Sequence, residues 1–153
     1  MTHNTPHNFV ILLVEDEPAD AQLVKIAIRA TQLPIEIHAA SDGVDALEFL
    51  RQQGKWASSS AIAPRPDLIL LDLNMPRMDG FEFLSHLKKD PRLAMTPVVV
   101  LTTSDAERDV LAAYQISAAG YVTKPVDMDQ FTSSIRTLCE YWFSLVRLPA
   151  RQA

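Results

Sequence analysis

The sequence predicts a doubly wound α/β fold built from five strand–helix units. Five short runs of apolar, β-branched-rich residues recur along the chain, with room for a helix between each pair. These runs are apolar at consecutive positions, which is typical of parallel strands that are covered on both faces. Regular alternation of strand and helix then favours one sheet sandwiched between two helical layers.

Each predicted strand is followed by residues that can begin a helix. Pro18 suits a first helical turn, where its missing N–H costs nothing, and the other starts carry capping side chains. The predicted strands are residues 9–14, 35–39, 68–71, 98–101 and 120–122. The predicted caps are Asp42, Asp79, Ser104 with Glu107, and Asp127 with Gln130. Residues 52–66, which contain three serines and two prolines, are predicted to form an exposed loop.

Composition limits the classes of function. With 153 residues, 48% of them hydrophobic and 22% charged, the chain has the balance of one globular domain. A net charge of -5 disfavours binding to nucleic acid or an anionic membrane. No apolar run approaches the roughly 20 residues of a membrane span, and residues 1–8 lack the features of a secretory signal. We therefore expect a cytoplasmic protein with a flexible N-terminus, and Cys139, the single cysteine, forms no internal disulfide.

Acidic residues follow two of the predicted strands. Glu15 and Asp16 end the first apolar run, and Asp72 ends the third. The carboxyl ends of parallel strands share one edge of the sheet, where such folds bind ligands. Clustered carboxylates raise one another's pKa unless a cation neutralises them, and oxygen ligands alone favour magnesium. The alternative is that these acids only cap the following helices, as Asp16 before Pro18 could do.

The fourth and fifth strands add a hydroxyl and an ammonium to the same edge. Thr102 follows the fourth apolar run and Lys124 follows the fifth. A carboxylate that attacks phosphorus needs its charge masked and the phosphoryl oxygens stabilised. Each residue alone has an ordinary surface explanation, but together they predict phosphoryl chemistry at Asp72.

These motifs, in this order, resemble the receiver domains of bacterial response regulators. The matching parts are the pair Glu15–Asp16, the block LILLDLNMPRMDG that ends at Gly80, the strand-end Thr102 and the pair Lys124–Pro125. Thr102 lies 30 positions after Asp72, and Lys124 lies 22 after Thr102. The resemblance spans residues 9–138 and implies the flavodoxin-like strand order 2-1-3-4-5.

The resemblance implies a role for each of the residues at the carboxyl edge of the predicted sheet. Asp72 would be the phosphoacceptor, and Mg²⁺ or Mn²⁺ would be held by Asp72, directly by Asp16, by Glu15 through water and by the backbone carbonyl of Asn74. A sensor histidine kinase would supply the phosphoryl group. The domain would catalyse its own phosphotransfer and its own dephosphorylation, which is not a conventional enzyme activity.

The resemblance also implies how the switch is built. Thr102 would hydrogen-bond the phosphoryl group, Lys124 would pair with Asp72 or its phosphate, and Tyr121 would be the aromatic that rotates inward. The bond before Pro125 is expected to be cis, an isomer that proline makes accessible. Gly80 is expected to supply backbone angles that other residues avoid.

The C-terminal segment predicts a protein interface. The spacing of 4, 3, 4 and 3 is that of a narrow coiled-coil-like seam in Phe131, Ile135, Leu138, Trp142 and Leu145. The first three are expected to reach the core, whereas the residues from Trp142 onward extend beyond the length that the sheet can cover. We expect a receiver domain over residues 9–140 and, over 141–153, a helical extension and tail that supports a homodimer. The predicted interface residues are Phe131, Ile135, Trp142, Phe143 and Leu145.

The tail and the loop with Trp56 resemble the stand-alone response regulators that serve phytochromes in cyanobacteria and other bacteria. That resemblance implies a phytochrome-type kinase and a downstream protein as partners. Three other functions stay open: an aspartyl phosphatase of the haloacid dehalogenase class, a nucleotide- or flavin-binding module, and an interaction module that works without phosphorylation. The chain lacks a glycine-rich loop after the first strand, which disfavours the second.

Overall fold

A computed structural model describes residues 9–57 and 65–149 of the chain. The strands are β1 Phe9–Val14, β2 Ile35–Ala40, β3 Leu68–Leu71, β4 Val98–Thr102 and β5 Gly120–Thr123. The helices are α1 Pro18–Ala30, α2 Gly43–Arg51, α3 Gly80–Lys89, α4 Glu107–Gln115 and α5 Met128–Glu140. All five predicted strands are confirmed to within one residue at either end. Across the described ranges, no helix combines the length and apolar character needed to cross a membrane.

The five strands form one parallel sheet in the order β2-β1-β3-β4-β5, as predicted. The chain winds outward from β1 in both directions, first to β2 and then through β3 to β5. The strand order therefore reverses beside β1, and the crevice for a ligand lies at the carboxyl ends of β1 and β3. The residues that follow these strands are the candidates for a functional site.

Apolar side chains fill a separate core on each face of the sheet. One core includes Phe49 of α2 and Phe83 of α3, both 0–1% exposed, packed on alternate residues of β1, β3 and β4. The other includes Val24 of α1 and Ile135 of α5, packed on the remaining strand residues. Because both faces are covered, the central strands are continuously buried, which explains their unbroken apolar runs.

Most of the predicted helix caps are confirmed. The side chains of Asp42, Asp79 and Asp127 accept backbone N–H bonds in the first turns of α2, α3 and α5. The capping box predicted at Ser104 is wrong, because α4 follows Ala106 without a side-chain cap. The Ser104 hydroxyl instead donates a 2.6 Å hydrogen bond to the carboxylate of Asp109.

The predicted loop 52–66 is more ordered at its start than expected. Gly54–Trp56 forms a 3-10 turn. The Trp56 ring packs edge-on to Phe49 at 4.8 Å between centroids, and its Nε1 donates to Asp45 at 3.4 Å. The Trp56 ring, partly buried against the core, holds the turn in place, although the sequence of this loop is mainly polar. Residues 58–64, the N-terminal residues 1–8 and the last part of the predicted tail, residues 150–153, lie outside the described residues.

The C-terminal segment continues as a π-helical turn, Tyr141–Leu145, directly after α5. Two residues predicted for the dimer interface, Phe131 and Ile135, are 6% and 0% exposed and belong to the core. They are therefore not available to a partner, since the helical face that carries them packs on the sheet. Phe143 packs edge-on to Phe9 at 5.7 Å.

Candidate functional site

Backbone hydrogen bonds hold four predicted site residues at the carboxyl edge of the sheet. The amide of Glu15 donates to Ala40, that of Asp72 to Val14 and that of Lys124 to Thr102, each at 2.7–3.0 Å. These bonds continue the strand ladders by one residue, so the side chains that follow β1, β3 and β5 start from fixed positions. Thr102 is the last residue of β4 and is fully buried.

Asp72 lies at the centre of this edge and is 9% exposed. Its Oδ1 accepts a 2.9 Å hydrogen bond from the Thr102 hydroxyl and a 3.3 Å bond from the backbone N–H of Asn74. Its Oδ2 lies 3.9 Å from Nζ of Lys124. Two hydrogen-bond donors therefore orient the Asp72 carboxylate through Oδ1, while Oδ2 lies toward the ammonium of Lys124.

Lys124 contacts Glu15 more closely than Asp72. Its ammonium donates at 2.8 Å to Glu15 and at 3.3 Å to Asp20, and its side chain is only 8% exposed. Burial lowers the pKa of Lys124, but the hydrogen bond to Glu15 and the nearby negative charges outweigh it, so the pKa is raised. The ammonium therefore stays charged and bridges three carboxylates.

Asp20 is a site residue that the sequence analysis missed. It lies in the first turn of α1, four positions after Asp16, so the helix start brings it to the same edge. Its position in the first turn was the available signal, but acids there are common because they interact favourably with the helix dipole.

Glu15, Asp16 and Asp72 form an acidic cluster whose oxygen atoms lie within 4.8 Å of one another. Burial, and then the charge of Asp72, raise the pKa of Glu15 to about 7 despite the bond from Lys124. The cluster is therefore short of positive charge, and its ligand atoms are all oxygen. This donor set fits a hard divalent cation such as Mg²⁺ or Mn²⁺.

Tyr121 on β5 connects this edge with the loop before α4. Its hydroxyl donates a 2.7 Å hydrogen bond to the backbone carbonyl of Ser104. Burial raises the pKa of Tyr121, and nearby acids raise it further. The ring is partly buried against the core, and Tyr121 pairs with Val100 in the sheet, two residues before Thr102. Its hydroxyl holds the loop at Ser104, two residues after Thr102.

Two expectations about backbone geometry are wrong. The Lys124–Pro125 peptide is trans, since the described chain contains no cis bond. Trans is the lower-energy isomer of a peptide bond that precedes proline. Gly80 has no positive φ. It is required by close approach instead, because a Cβ there would lie 2.6 Å from the carbonyl oxygen of Asp72.

The sheet order and the acidic edge are those of a receiver domain. The family model for the response regulator receiver domain matches residues 11–136, and the chain belongs to that family. Receiver domains take their phosphoryl group from histidine kinases. The family match leaves the phosphatase and nucleotide-binding alternatives without support.

Particular relatives narrow the class. The chain is 43% identical over 141 residues to response regulator Rcp1 of Synechocystis sp., covering 92% of this chain and 93% of Rcp1. The phosphorylated cyanobacterial phytochrome response regulator RcpA has a TM-score of 0.86 at 40% identity, covering 94% of this chain and all of RcpA. The Mn²⁺-bound form of Rcp1 has a TM-score of 0.83 at 42% identity, covering 92% and 99%. The chain is thus a receiver closely related to regulators associated with phytochromes.

Proposed function

We propose that this chain is switched by transfer of a phosphoryl group from a sensor histidine kinase to Asp72. The observation that carries the proposal is the position of Asp72, a buried carboxylate that receives a hydrogen bond from Thr102 and faces Lys124. Of the acidic cluster, Asp72 alone has a hydroxyl donor and an ammonium beside it in the described residues.

The transfer forms one bond and breaks one bond. A carboxylate oxygen of Asp72 attacks the phosphorus of phosphohistidine, the P–N bond breaks, and the imidazole leaves with its electron pair and takes up a proton. In dephosphorylation, water attacks the phosphorus and the P–O bond to Asp72 breaks. The products are the free carboxylate and inorganic phosphate. In both steps Lys124 and Thr102 stabilise charge on the phosphoryl oxygens.

Asp16, Asp72, Glu15 and the backbone carbonyl of Asn74 would hold the divalent cation. The cation supplies charge neutralisation for the attacking carboxylate and the phosphoryl oxygens. Lys124 keeps Glu15 within the cluster, and the N–H of Asn74 fixes the orientation of Asp72. The relative Rcp1 has been seen with Mn²⁺ bound, which supports a cation of this kind.

Phosphorylation would be read through Thr102 and Tyr121. The Thr102 hydroxyl has one proton, so it must release Asp72 Oδ1 to donate to a phosphoryl oxygen. That movement pulls the end of β4 and the loop at Ser104, which Tyr121 holds by its hydroxyl. The ring of Tyr121 would then rotate inward and change the surface between α4 and α5.

The kinase is proposed to be of the phytochrome type. Support comes from the phytochrome regulator RcpA, which the chain matches at 40% identity over 94% of its length. The test is to incubate the chain and Mg²⁺ with an autophosphorylated phytochrome-type kinase, and separately with a chemotaxis-type kinase. Faster label transfer from the phytochrome-type kinase is expected; equal or slower transfer would contradict this pairing.

A homodimer is proposed through the surface of α4, β5, α5 and the C-terminal turn. A groove of about 540 Å³ lies there, lined by Tyr114, Tyr121, Tyr141 and Trp142 among others. Tyr114 and Tyr141 are each 50% exposed, and Leu145 is 75% exposed. Exposed apolar side chains of this kind favour burial against a second copy. Because Tyr121 lines the groove, the switch would reach the dimer contact directly.

Substitution tests this interface. Leu145→Ser is expected to shift the molar mass in light scattering toward the monomer. The matched control is Met95→Ser, which removes another exposed apolar side chain, 62% exposed, from the segment between α3 and β4. A dimer that survives Leu145→Ser and a Tyr141→Ser variant, or a wild type that is monomeric at all concentrations, would contradict the proposal.

A further inference from the structure

An ion pair outside the acidic cluster joins the loop after β3 to the start of α2. Nε of Arg77 donates a 2.6 Å hydrogen bond to Oδ2 of Asp42. The Asp42 side chain is 7% exposed, whereas that of Arg77 is 59% exposed. The other oxygen of Asp42 caps α2 by accepting from the N–H of Asp45 at 2.9 Å. One buried carboxylate thus serves both elements.

The backbone at Arg77 has an unfavourable conformation. Its φ is +62°, a value that L-residues rarely adopt. The N–H of Met78 donates to the carbonyl of Pro76 at 2.7 Å, which closes a three-residue turn with Arg77 at its centre. Such a γ-turn is strained and persists only where neighbouring contacts hold it.

Two contacts hold this turn. One is the Asp42 ion pair; the other is the packing of the Met78 side chain on α2, so close that a Cβ on Gly43 would lie 2.8 Å from Met78 Cγ. Burial raises the pKa of Asp42, but the hydrogen bond from Arg77 and those from the α2 backbone outweigh it and lower the pKa. The carboxylate therefore remains charged and keeps its partner.

The loop held in this way begins at the pocket. The N–H of Asn74 donates to Asp72 Oδ1 at 3.3 Å, and the N–H of Gly80 donates to the carbonyl of Leu73 at 2.9 Å. Residues 74–79 are therefore attached to Asp72 at one end and to the neighbouring Leu73 at the other. Between those ends, the described contacts to the rest of the fold include the Arg77 and Met78 contacts with α2. Arg77 lies three positions after Asn74 in this segment, so we expect a change in the turn to shift the backbone of Asn74.

We propose that the Asp42–Arg77 ion pair positions the backbone of Asn74 for the divalent cation, so that Arg77 sets metal affinity without touching the metal. This inference rests on the proposed metal site. Asp42 follows β2 and Lys124 follows β5, the two edge strands of the sheet, so the ion pair lies on the side of the pocket away from Lys124. Partners that orient a ligand in this indirect way commonly change metal affinity on the order of 10-fold or more.

Two variants separate positioning from long-range charge. Arg77→Gln removes a positive charge, so charge alone would tighten Mg²⁺ binding. Asp42→Asn removes a negative charge, so charge alone would weaken it, and asparagine preserves the cap on α2. Positioning predicts that both variants weaken Mg²⁺ binding on the order of 10-fold. It also predicts that the double variant binds no more weakly than either single one, because both remove the same contact.

The matched controls are Arg92→Gln and Asp90→Asn, which remove the same charges from another ion pair, 3.7 Å apart, beyond α3. Calorimetric titration with Mg²⁺ alone, at a temperature where every variant is folded, gives the affinities. Amide hydrogen exchange of Asn74 and Met78 in the metal-free protein gives a second readout, and faster exchange is expected in both Asp42 and Arg77 variants.

Each outcome decides the inference. Weaker binding in both variants, with unchanged controls, supports it. Tighter or unchanged binding in Arg77→Gln overturns it, and so does a loss that only Asp42→Asn shows. A wild type that fails to bind Mg²⁺ would overturn the proposed metal site and this inference together, whereas normal wild-type binding with unaffected variants would overturn the inference alone.

Discussion

The hydroxyl of Thr102 donates a 2.9 Å hydrogen bond to Oδ1 of Asp72, although 30 residues separate the two in sequence. Thr102 is fully buried, so its hydroxyl has no access to bulk water. The single proton of that hydroxyl is committed to the carboxylate before phosphorylation. After phosphorylation, the Thr102 hydroxyl would donate this proton to a phosphoryl oxygen instead.

Loss of this donor is expected to slow phosphorylation. Thr102→Val keeps the shape of the side chain but removes the hydroxyl. A hydrogen bond to a charged group is worth about 1.5 kcal/mol, which corresponds to about 10-fold in rate. The rate of phosphorylation by acetyl phosphate measures the effect. Thr102→Ser, which keeps the hydroxyl, is expected to stay within a few-fold of wild type; an equally slow Ser variant would assign the effect to packing.

Mg²⁺ is expected to stabilise the protein through the acidic cluster. At 100 times its dissociation constant, the cation should add about 3 kcal/mol to the free energy of unfolding. Asp16→Asn should remove most of that gain, while the metal-free variant is at least as stable as wild type because like-charge repulsion is relieved. Thermal melts with and without Mg²⁺ give both quantities. Glu82→Gln, an exposed acid on α3, is the charge-matched control and should keep the full response.

The charge of Asp42 predicts a stability change in acid. Because the pKa of Asp42 is lowered in the folded state, the folded protein binds fewer protons there than the unfolded chain does. Its stabilisation is present above the unfolded pKa near 4 and is lost as pH falls through the lower folded value. Urea unfolding between pH 5 and pH 3 should show a steeper loss in wild type than in Asp42→Asn. If the free energy of unfolding fell equally with pH in wild type and in Asp42→Asn, the proposed contribution of the Asp42 charge would be wrong.

Cys139 is expected to be unreactive in the native state. It is 1% exposed, and burial, followed by the charge of Glu140, raises the pKa of its thiol to about 12. At pH 8 it is therefore a thiol and not the nucleophilic thiolate. Iodoacetamide should modify it slowly in native protein and fully in denaturant, as intact mass would show. Rapid labelling of the native protein would contradict the burial described here.

The local and periodic parts of the fold could be predicted from sequence, and so could the edge that carries the site. Strands that are buried on both faces have unbroken apolar sequences, so β1 and β3 could be recognised. The predicted ends of the strands then put Asp72 and Thr102 at the carboxyl edge of the sheet. Contacts that depend on side-chain conformation could not be predicted. Lys124 pairs with Glu15, 109 residues away, more closely than with Asp72.

Backbone details were also beyond the sequence pattern. The capping box predicted at Ser104 was wrong because the Ser104 hydroxyl donates to the carboxylate of Asp109 instead. The local sequence is equally compatible with either hydrogen bond. The positive φ at Arg77 falls on a residue that is not glycine, so the sequence does not mark it, and the ion pair with Asp42 joins residues 35 positions apart. Burial of Phe131 and Ile135 was ambiguous because a core face and an interface face share one helical period.

The central claim is that Asp72 accepts the phosphoryl group, and intact mass after incubation with acetyl phosphate and Mg²⁺ tests it most directly. Wild type is expected to gain the mass of one phosphoryl group, as is the control Asp105→Asn, which alters an exposed acid in the loop before α4. Asp72→Asn is expected to gain none. A wild type without added mass, or an Asp72→Asn variant that gains as much as wild type, would contradict the account.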